Sequence, residues 1–235
     1  MRIALLASLA LSTAACTTHD SDSILTSGIY ASLGATATGD GTTTAHAVLY
    51  LGNPGTLDFV ELVGDDELIA TLFNEQKVMS ESVFLGTASY RATFDGDEEG
   101  LEFNIALLRS IDGGAPDSYC TLPEPFDILT EEGTEWPRGA SFAIDWTSSA
   151  ANDPMSWRVE GECIEPASGT IDGDIGTLEI PADTIVPGQG TEVPPDCDVV
   201  LELTRSRDGQ LDPNYGEGGS IRGYQVRTVT LTSVP

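Results

Sequence analysis

The sequence of 235 residues is poor in basic side chains: it has ten Lys and Arg, of which only Lys77 is a lysine, against 38 Asp and Glu. The formal net charge of −28 excludes nucleic acid as a partner, because such binding depends on Lys and Arg contacts to phosphates. Only two histidines, His19 and His46, are present, and no C-x-x-C pair. The sequence therefore gives no support for a zinc site of ordinary ligand type.

The motifs of common enzymes are also missing. The sequence contains no G-x-S-x-G, no H-E-x-x-H, no P-loop and no dinucleotide-binding glycine motif. A Ser-His-Asp system would depend on His46 alone, because His19 lies close to the N-terminus. We predict that the protein is not an enzyme. A hydrolase with an unrecognised carboxylate site is the alternative, since 38 acids make any chosen pair uninformative.

Period-two alternation is the dominant pattern of the chain. In residues 84–94, small or apolar residues occupy every second position, and Phe142, Ile144 and Trp146 alternate with polar residues in the same way. This pattern predicts half-buried strands. Glu67–Met79 is the one stretch that could instead form a short helix. Turns rich in Gly, Pro, Asp and Asn separate the further strand candidates, which are 44–51, 57–63, 67–73, 101–109, 155–163, 198–205 and 221–231.

A weak internal repeat relates residues 101–113 to residues 197–209 at an offset of 96 residues. Both copies have an apolar face of period two, an Arg-Ser pair at the end of the strand and an Asp-Gly turn. The offset is close to the ~100 residues of an immunoglobulin-like sandwich. The chain thus resembles two tandem immunoglobulin-like antiparallel β-sandwiches in an all-β fold, with domains at 24–122 and 123–235. The proline-rich stretch at 122–125 is typical of a linker.

The N-terminus resembles the signal peptide of bacterial lipoproteins. Arg2 is followed by the apolar run 3–11, which is too short to span a bilayer. Thr13-Ala14-Ala15-Cys16 is similar to the lipobox of that family, with Thr13 where the family usually has leucine. The resemblance implies a signal peptide at 1–15, a Cys16 that becomes the lipidated N-terminus, and a polar tether at 16–23. The processed chain would have nine bases against 38 acids, a net charge of −29.

The lipoprotein resemblance also implies a location and a role. Thr17, rather than aspartate, follows Cys16, and by the sorting rule of the family this predicts an outer-membrane lipoprotein, facing the periplasm or the cell surface. The membrane, reached through the palmitate-type lipid on Cys16, is then one partner, and an unknown protein or glycan is the other. We expect a non-catalytic binding or interaction module of the cell envelope. A calcium-assisted carbohydrate-binding or adhesion domain is the alternative, with Trp136 as the best candidate for an exposed aromatic side chain.

The remaining cysteines are Cys120, Cys163 and Cys197. Disulfides persist in exported proteins. Because three is an odd number, at least one of these cysteines is free or bonded to another molecule. In a second sandwich of immunoglobulin-like order, strand 155–163 would lie antiparallel to strand 198–205. The end of one strand then lies beside the start of the other. This placement predicts a disulfide between Cys163 and Cys197, and it leaves Cys120 without an assigned role.

Acidic residues are gathered in three loops, at 95–100, 172–174 and 208–217. Asp95, Asp97 and Glu99 match the start of an EF-hand loop, but Ala106 stands where a bidentate glutamate is needed. They are weak calcium candidates, and the sequence predicts no other cofactor or metal. Residues 209–218 resemble the core of delta-60 repeats in a single copy with Tyr215 for phenylalanine, which implies similar turn chemistry and no activity.

Overall fold

The computed structural model describes residues 17–56, 58–84, 87–190 and 194–235, and these form strands joined by turns and loops. The prediction of an all-β chain is confirmed. In chain order the strands are β1 (Thr17–Asp20), β2 (Ile29–Ala37), β3 (Thr42–Leu51), β4 (Asp58–Glu61), β5 (Glu67–Leu72), β6 (Glu75–Val78), β7 (Ser80–Phe84), β8 (Thr87–Asp95), β9 (Glu102–Leu108), β10 (Tyr119–Thr121), β11 (Glu135–Pro137), β12 (Phe142–Asp145), β13 (Met155–Gly161), β14 (Ala167–Ile171), β15 (Thr177–Ile180), β16 (Cys197–Asp208) and β17 (Ser220–Val234).

Helical structure is limited to three short 3-10 turns in the described residues, at Ser21–Ser23, Thr26–Gly28 and Pro54–Thr56. The helix considered for Glu67–Met79 is wrong. This stretch is the hairpin β5–β6, in which Phe73 takes a left-handed backbone conformation (φ 54°) at the turn. Within the ranges described, no helix is long and apolar enough to cross a membrane.

One large sheet extends through the whole molecule. Its strands follow the order β1-β4-β3-β2-β17-β16-β13-β14, with β8 and β7 added beside β3 and β11 added beside β17. Most pairs are antiparallel, but three are parallel: β1 with β4, β17 with β2, and β11 with β17. The predicted purely antiparallel sheets are corrected in this respect. Each parallel pair joins strands that are distant in sequence. Such strands are not connected by a hairpin turn, so the turn residues of the sequence do not predict the pairing.

Two smaller sheets cover one face of the large sheet and enclose two hydrophobic cores. The sheet β10-β9-β5-β6 closes the first core, and the pair β12-β15 closes the second. In the first core, β2 and β3 present a stripe of alanines to larger Leu, Ile and Phe side chains of β5 and β9. Small residues facing large ones allow the two layers to interdigitate. The expected pair of tandem sandwich cores is therefore present.

The C-terminal hairpin β16–β17 belongs to both cores. The first six residues of β17 pair with β2, while Cys197–Asp208 of β16 pair with residues 222–233 of β17. Tyr215 and Ile221 accordingly pack in the first core, although the expected boundary at 122/123 assigns them to the second domain. At about 3.3 Å per residue, a strand of 15 residues is long enough to pass both cores. The linker therefore separates two cores, but it does not separate two sheets.

Strand β10 lies directly on this hairpin. Tyr119 and Gln210 exchange backbone hydrogen bonds of 2.9 and 2.8 Å. A Cβ atom on Gly209 would lie 2.1 Å from the Tyr119 carbonyl oxygen, and one on Gly223 would lie 2.0 Å from that of Thr121. The two glycines thus let the smaller sheet touch the backbone of the hairpin, and this contact ties the first core to the C-terminus.

We predict that Gly223→Ala destabilises the protein by about 2–3 kcal/mol, because the added methyl group meets backbone that cannot move like a side chain. Gly113→Ala is the matched control, since its Cβ would point into open space, and it should change stability by less than about 0.5 kcal/mol. Denaturant unfolding of both variants measures the difference. Equal unfolding midpoints would show that the layers do not depend on this close approach.

Candidate functional site

The predicted lipid-anchor residue, Cys16, and the predicted signal peptide lie outside the described residues. The structure does describe the segment that follows them. Thr17–Asp20 form β1, which pairs in parallel with Asp58–Glu61. Ser21 is fully buried. The polar tether predicted for 16–23 is therefore wrong for residues 17–23, because Thr17–Asp20 form a strand, Ser21 is buried and Ser21–Ser23 form a 3-10 turn.

A buried arginine fixes the N-terminal segment in place. The Arg109 side chain has no solvent exposure, and its Nε lies 3.0 Å from Asp66 Oδ2. Its Nη1 donates to the Thr26 hydroxyl at 3.0 Å, and its Nη2 donates to the Ser21 carbonyl at 2.5 Å. The Ser21 hydroxyl in turn donates to Asp66 at 2.8 Å. One guanidinium thus joins the N-terminal segment to the loops before β5 and after β9.

Asp66 is the acidic centre of this cluster. Burial opposes ionisation of its carboxyl, but hydrogen bonds from Ser21, Arg109 and the backbone N–H of Ser110 outweigh burial and hold its pKa below the usual value. A carboxylate that accepts several hydrogen bonds in its charged form is stabilised in that form. The cluster therefore contributes stability only while Asp66 is ionised.

A second buried arginine, Arg205, lies on β16 between the two cores. Its guanidinium is fully buried, and Nη2 lies 2.7 Å from Asp174 Oδ2. It also donates to the carbonyl oxygens of Glu124, at 2.7 Å, and Thr147, at 2.8 Å. The ring of Phe126 stacks 4.8 Å below it. Burial lowers the pKa of Arg205, and the facing Asp174 carboxylate opposes that shift.

Asp174 is buried by this pairing rather than exposed in an acidic loop. The Trp146 indole donates to its Oδ1 at 2.7 Å, and the Ser149 backbone N–H donates to its Oδ2 at 2.8 Å. Sequence reasoning missed both partners. One signal was available: Arg205 continues the apolar face formed by Val199, Leu201 and Leu203. The alternation of period two therefore predicts that its side chain points into the protein interior.

The calcium candidates do not form a shared site. Asp97 accepts a hydrogen bond from the Gly41 backbone at 3.1 Å, while Glu99 lies 3.1 Å from Nη2 of Arg207. Among the described residues, no group of three His, Cys, Asp or Glu side chains could hold a metal ion. Asp95 ends β8 opposite Thr42. These acids contact neighbouring backbone and a cation, so their carboxylates do not converge on one point.

Glu99 pairs with Arg207, an arginine that contacts both halves of the protein. Its guanidinium lies 2.6 Å from Asp153 of the second half and 3.2 Å from the Leu122 carbonyl of the linker, as well as beside Glu99 of the first half. The hydrogen bond to Asp153 raises the pKa of Arg207. This side chain joins both halves and the linker on the same face of the hairpin as Arg205.

The disulfide prediction is confirmed: Cys163 and Cys197 are bonded, with their Cα atoms 5.7 Å apart. Strand β13 runs antiparallel to β16, with Gly161 opposite Val199, so the same register places the two cysteines opposite each other. Cys120 is free and buried. Burial raises the pKa of its thiol to about 12, which keeps it protonated and unreactive at neutral pH.

The aromatic side chains do not form an exposed platform. Trp136, expected in the open, is buried in the second core and stacks on Phe142 with ring centroids 4.8 Å apart. The expectation fails because residues 135–137 form β11 along the edge of β17. Tyr215, in the loop that resembles a delta-60 repeat, is buried in the first core.

His46 lines a shallow, open pocket of about 300 Å³ on the outer face of the large sheet. Thr36, Thr44, Ser89 and Arg91 are among its neighbours there. Burial lowers the pKa of His46, and the Arg91 charge adds to that shift. The imidazole is therefore neutral at pH 7. The rest of the pocket lining consists of hydroxyl groups, aliphatic atoms and the Arg91 guanidinium.

Comparison with known proteins finds likeness at the level of β architecture only. No protein-family model and no curated protein matches the chain. Among solved structures it overlaps the paired domains IG1+IG2 of DIP-gamma at 8% identity, covering 87% of this chain and 95% of that one, with a TM-score of 0.24. A two-domain fibronectin type-III segment of chicken tenascin gives 12% identity, 84% and 98% coverage, and a TM-score of 0.22.

A bacterial example is the BSP domain of a biofilm-associated protein, at 14% identity and a TM-score of 0.26. The overlap covers 87% of this chain and 29% of that one, so this chain spans less than a third of its length. Overlaps as loose as these carry no argument about function. The function must be argued from the residues of the chain itself.

We predict that Arg205→Met destabilises the protein by about 3–5 kcal/mol, because it leaves the Asp174 charge buried without a partner. Arg158→Met is the control: Arg158 also pairs with an acid, Glu160, but both side chains are more than half exposed, and such pairs contribute less than about 1 kcal/mol. Chemical denaturation compares the two. The double variant Arg205→Met/Asp174→Asn should recover part of the loss, and no recovery would contradict the assignment of the cost to the charge.

A second prediction concerns the loss of folding stability at low pH. Since the pKa of Asp66 is lower in the folded chain than in the unfolded one, its stabilisation is complete above the unfolded pKa of about 4 and is lost as pH falls through the folded pKa. Asp66→Asn should cost about 3 kcal/mol at pH 7, and the gap to the wild type should narrow between pH 5 and pH 2.

Unfolding free energies measured across this pH range test the second prediction. The neighbouring Asp65, which is exposed, provides the control variant Asp65→Asn, which should change the free energy of unfolding by less than about 0.5 kcal/mol at pH 7. A gap for Asp66→Asn that stays constant down to pH 2 would show that the carboxylate charge is not what stabilises the cluster.

Proposed function

We propose that the protein is a bacterial lipoprotein of the outer membrane, anchored through a lipid on Cys16. Its two β-sandwich cores would form a non-catalytic module that binds a protein or glycan of the cell envelope. The observation that supports this most strongly is that the residues directly after Cys16 pair with a strand of the large sheet. Thr17, the residue after the proposed lipidated cysteine, already pairs with Asp58 in the large sheet. Cleavage before Cys16 would therefore leave the described fold intact.

The disulfide supports a location outside the cytoplasm. Cys163 and Cys197 are bonded in the second core, and structural disulfides persist in oxidising compartments such as the bacterial periplasm. A signal peptide at residues 1–15 would deliver the chain there. The disulfide and the N-terminal sequence are independent observations, and both favour export.

The engagement of the charged side chains supports a binding role over catalysis. Arg109, Arg205 and Arg207 are each paired with an acid that the fold itself supplies. His46, on the outer face of the large sheet, is neutral and faces Arg91 rather than a carboxylate in its pocket. The Ser89 hydroxyl in that pocket donates to the Ser82 carbonyl rather than to the imidazole. The ionisable groups of the arginine pairs thus serve packing.

Metabolic labelling with palmitate tests the anchor. The wild type should incorporate label, and Cys16→Ala should lose it completely, because no other thiol can take the N-terminal lipid. Cys120→Ala is the matched control: it removes a buried thiol of the first core and should keep full labelling per molecule of protein. Equal labelling of wild type and Cys16→Ala, or no labelling of either, would overturn the proposal.

A further inference from the structure

The strand directions place several elements at one end of the first core. Strand β3 runs towards Leu51, and β2 starts opposite it at Ile29. Strand β4 is antiparallel to β3, and β1 is parallel to β4, so Thr17 lies at the level of Leu51 as well. Strand β8 is also antiparallel to β3, which puts its start, together with the end of β7, at this same end.

Four exposed apolar side chains lie at this end, which we call the N-terminal face: Leu25 (67% exposed), Val83 (54%), Phe84 (75%) and Ile111 (69%). Leu25 precedes β2, while Val83 and Phe84 end β7. Ile111 is placed there by its neighbour Asp112, which accepts a hydrogen bond of 2.6 Å from the Thr26 backbone. A single exposed apolar side chain is ordinary in a soluble protein, but four at one end indicate a contact surface.

Hydrogen bonds from Arg109 hold the part of the N-terminal face that contains Leu25 and Ile111. Arg109 bonds to Ser21 and Thr26, which flank the short run that contains Leu25. Ser110, next to Ile111, donates its backbone N–H to Asp66 at 3.1 Å. These bonds fix the backbone on either side of Leu25 and beside Ile111, so both positions keep a fixed relation to the N-terminal segment.

The proposed lipid anchor leaves almost no distance between this face and a bilayer. Consecutive Cα atoms are about 3.8 Å apart, and Thr17 is already paired in the sheet. Acyl chains on Cys16 would therefore hold the N-terminal face against the lipid surface. A bilayer is broad and flat, so side chains at one end of a sheet can enter it together without touching one another.

We propose that the N-terminal face is a membrane-contact surface, and that Leu25, Val83, Phe84 and Ile111 enter the interfacial region of the leaflet that holds the Cys16 lipid. This inference depends on the proposed anchoring. It adds that the protein lies on the bilayer in one orientation, through hydrophobic contact. The net charge of −29 that the processed chain would have disfavours anionic lipids, so zwitterionic phosphatidylcholine is the appropriate surface.

Phe73 provides a matched control position. It is 77% exposed, and it follows Leu72, which pairs with Phe103 at the end of β5 opposite to Glu67 and Leu108. Since Leu108 leads to Ile111 and the N-terminal face, Phe73 lies at the far end of the same core. Phe84 and Phe73 are thus two equally exposed phenylalanines at opposite ends.

The test uses the full-length acylated protein in phosphatidylcholine vesicles, with Phe84→Cys or Phe73→Cys labelled by an environment-sensitive dye. Cys120 is buried and the other two described cysteines are bonded, so the introduced thiol takes the label. The dye in Phe84→Cys should shift to the blue and be quenched at least about twofold more than that in Phe73→Cys by spin-labelled lipids, because interfacial side chains reach about 5–10 Å into the bilayer. Ile111→Cys should behave like Phe84→Cys.

Mass spectrometry of the same samples separates the two proposals. If Cys16 is not acylated, the proposed function fails. If Cys16 is acylated but the dyes in Phe84→Cys and Phe73→Cys are quenched equally, or neither is quenched, the membrane-contact surface is overturned while the anchor stands. A face that binds a protein instead would give this second result.

Discussion

The ion pair between Arg205 and Asp174 is the contact on which the arrangement of the two halves depends. Arg205 lies on a strand face that serves the second core and then continues towards the first. A buried guanidinium without partners costs several kcal/mol, and both Nη atoms of Arg205 have partners. These partners are Asp174 from one loop, the Thr147 carbonyl from another and the Glu124 carbonyl from the linker. The linker is therefore fixed by the charge it helps to bury.

The first core uses the same solution at its N-terminal end. The Arg109 side chain is also fully buried and also pairs with an aspartate, Asp66. It also donates a hydrogen bond to the backbone carbonyl oxygen of a distant residue, Ser21. Arg109 and Arg205 occupy equivalent positions in the weak sequence repeat, yet β9 lies in a smaller sheet while β16 lies in the large one. The shared element is thus a strand whose apolar face ends in a buried arginine. It is not a repeated position in a repeated domain.

The sequence predicts what local pattern controls. Alternation located most strands, and the antiparallel register of β13 and β16 was enough to pair Cys163 with Cys197. Alternation could not predict that Asp66, 43 residues from Arg109, completes a buried cluster. Which acid pairs with a buried arginine depends on tertiary contacts between distant segments. The segment after Cys16 is polar and short, and composition predicted a tether, but pairing with β4 made it a strand. Trp136 was misplaced for the same reason.

The shared hairpin has a consequence for the order in which the chain can fold. Strand β17 ends at Val234, and its first six residues complete the sheet beside β2. Synthesis supplies the N-terminal half first, yet that half lacks an inner strand of its sheet until β17 has been made. The first core cannot complete its large sheet before then. In an exported chain, as proposed, this requirement leaves the first core incomplete until β17 has also crossed the membrane.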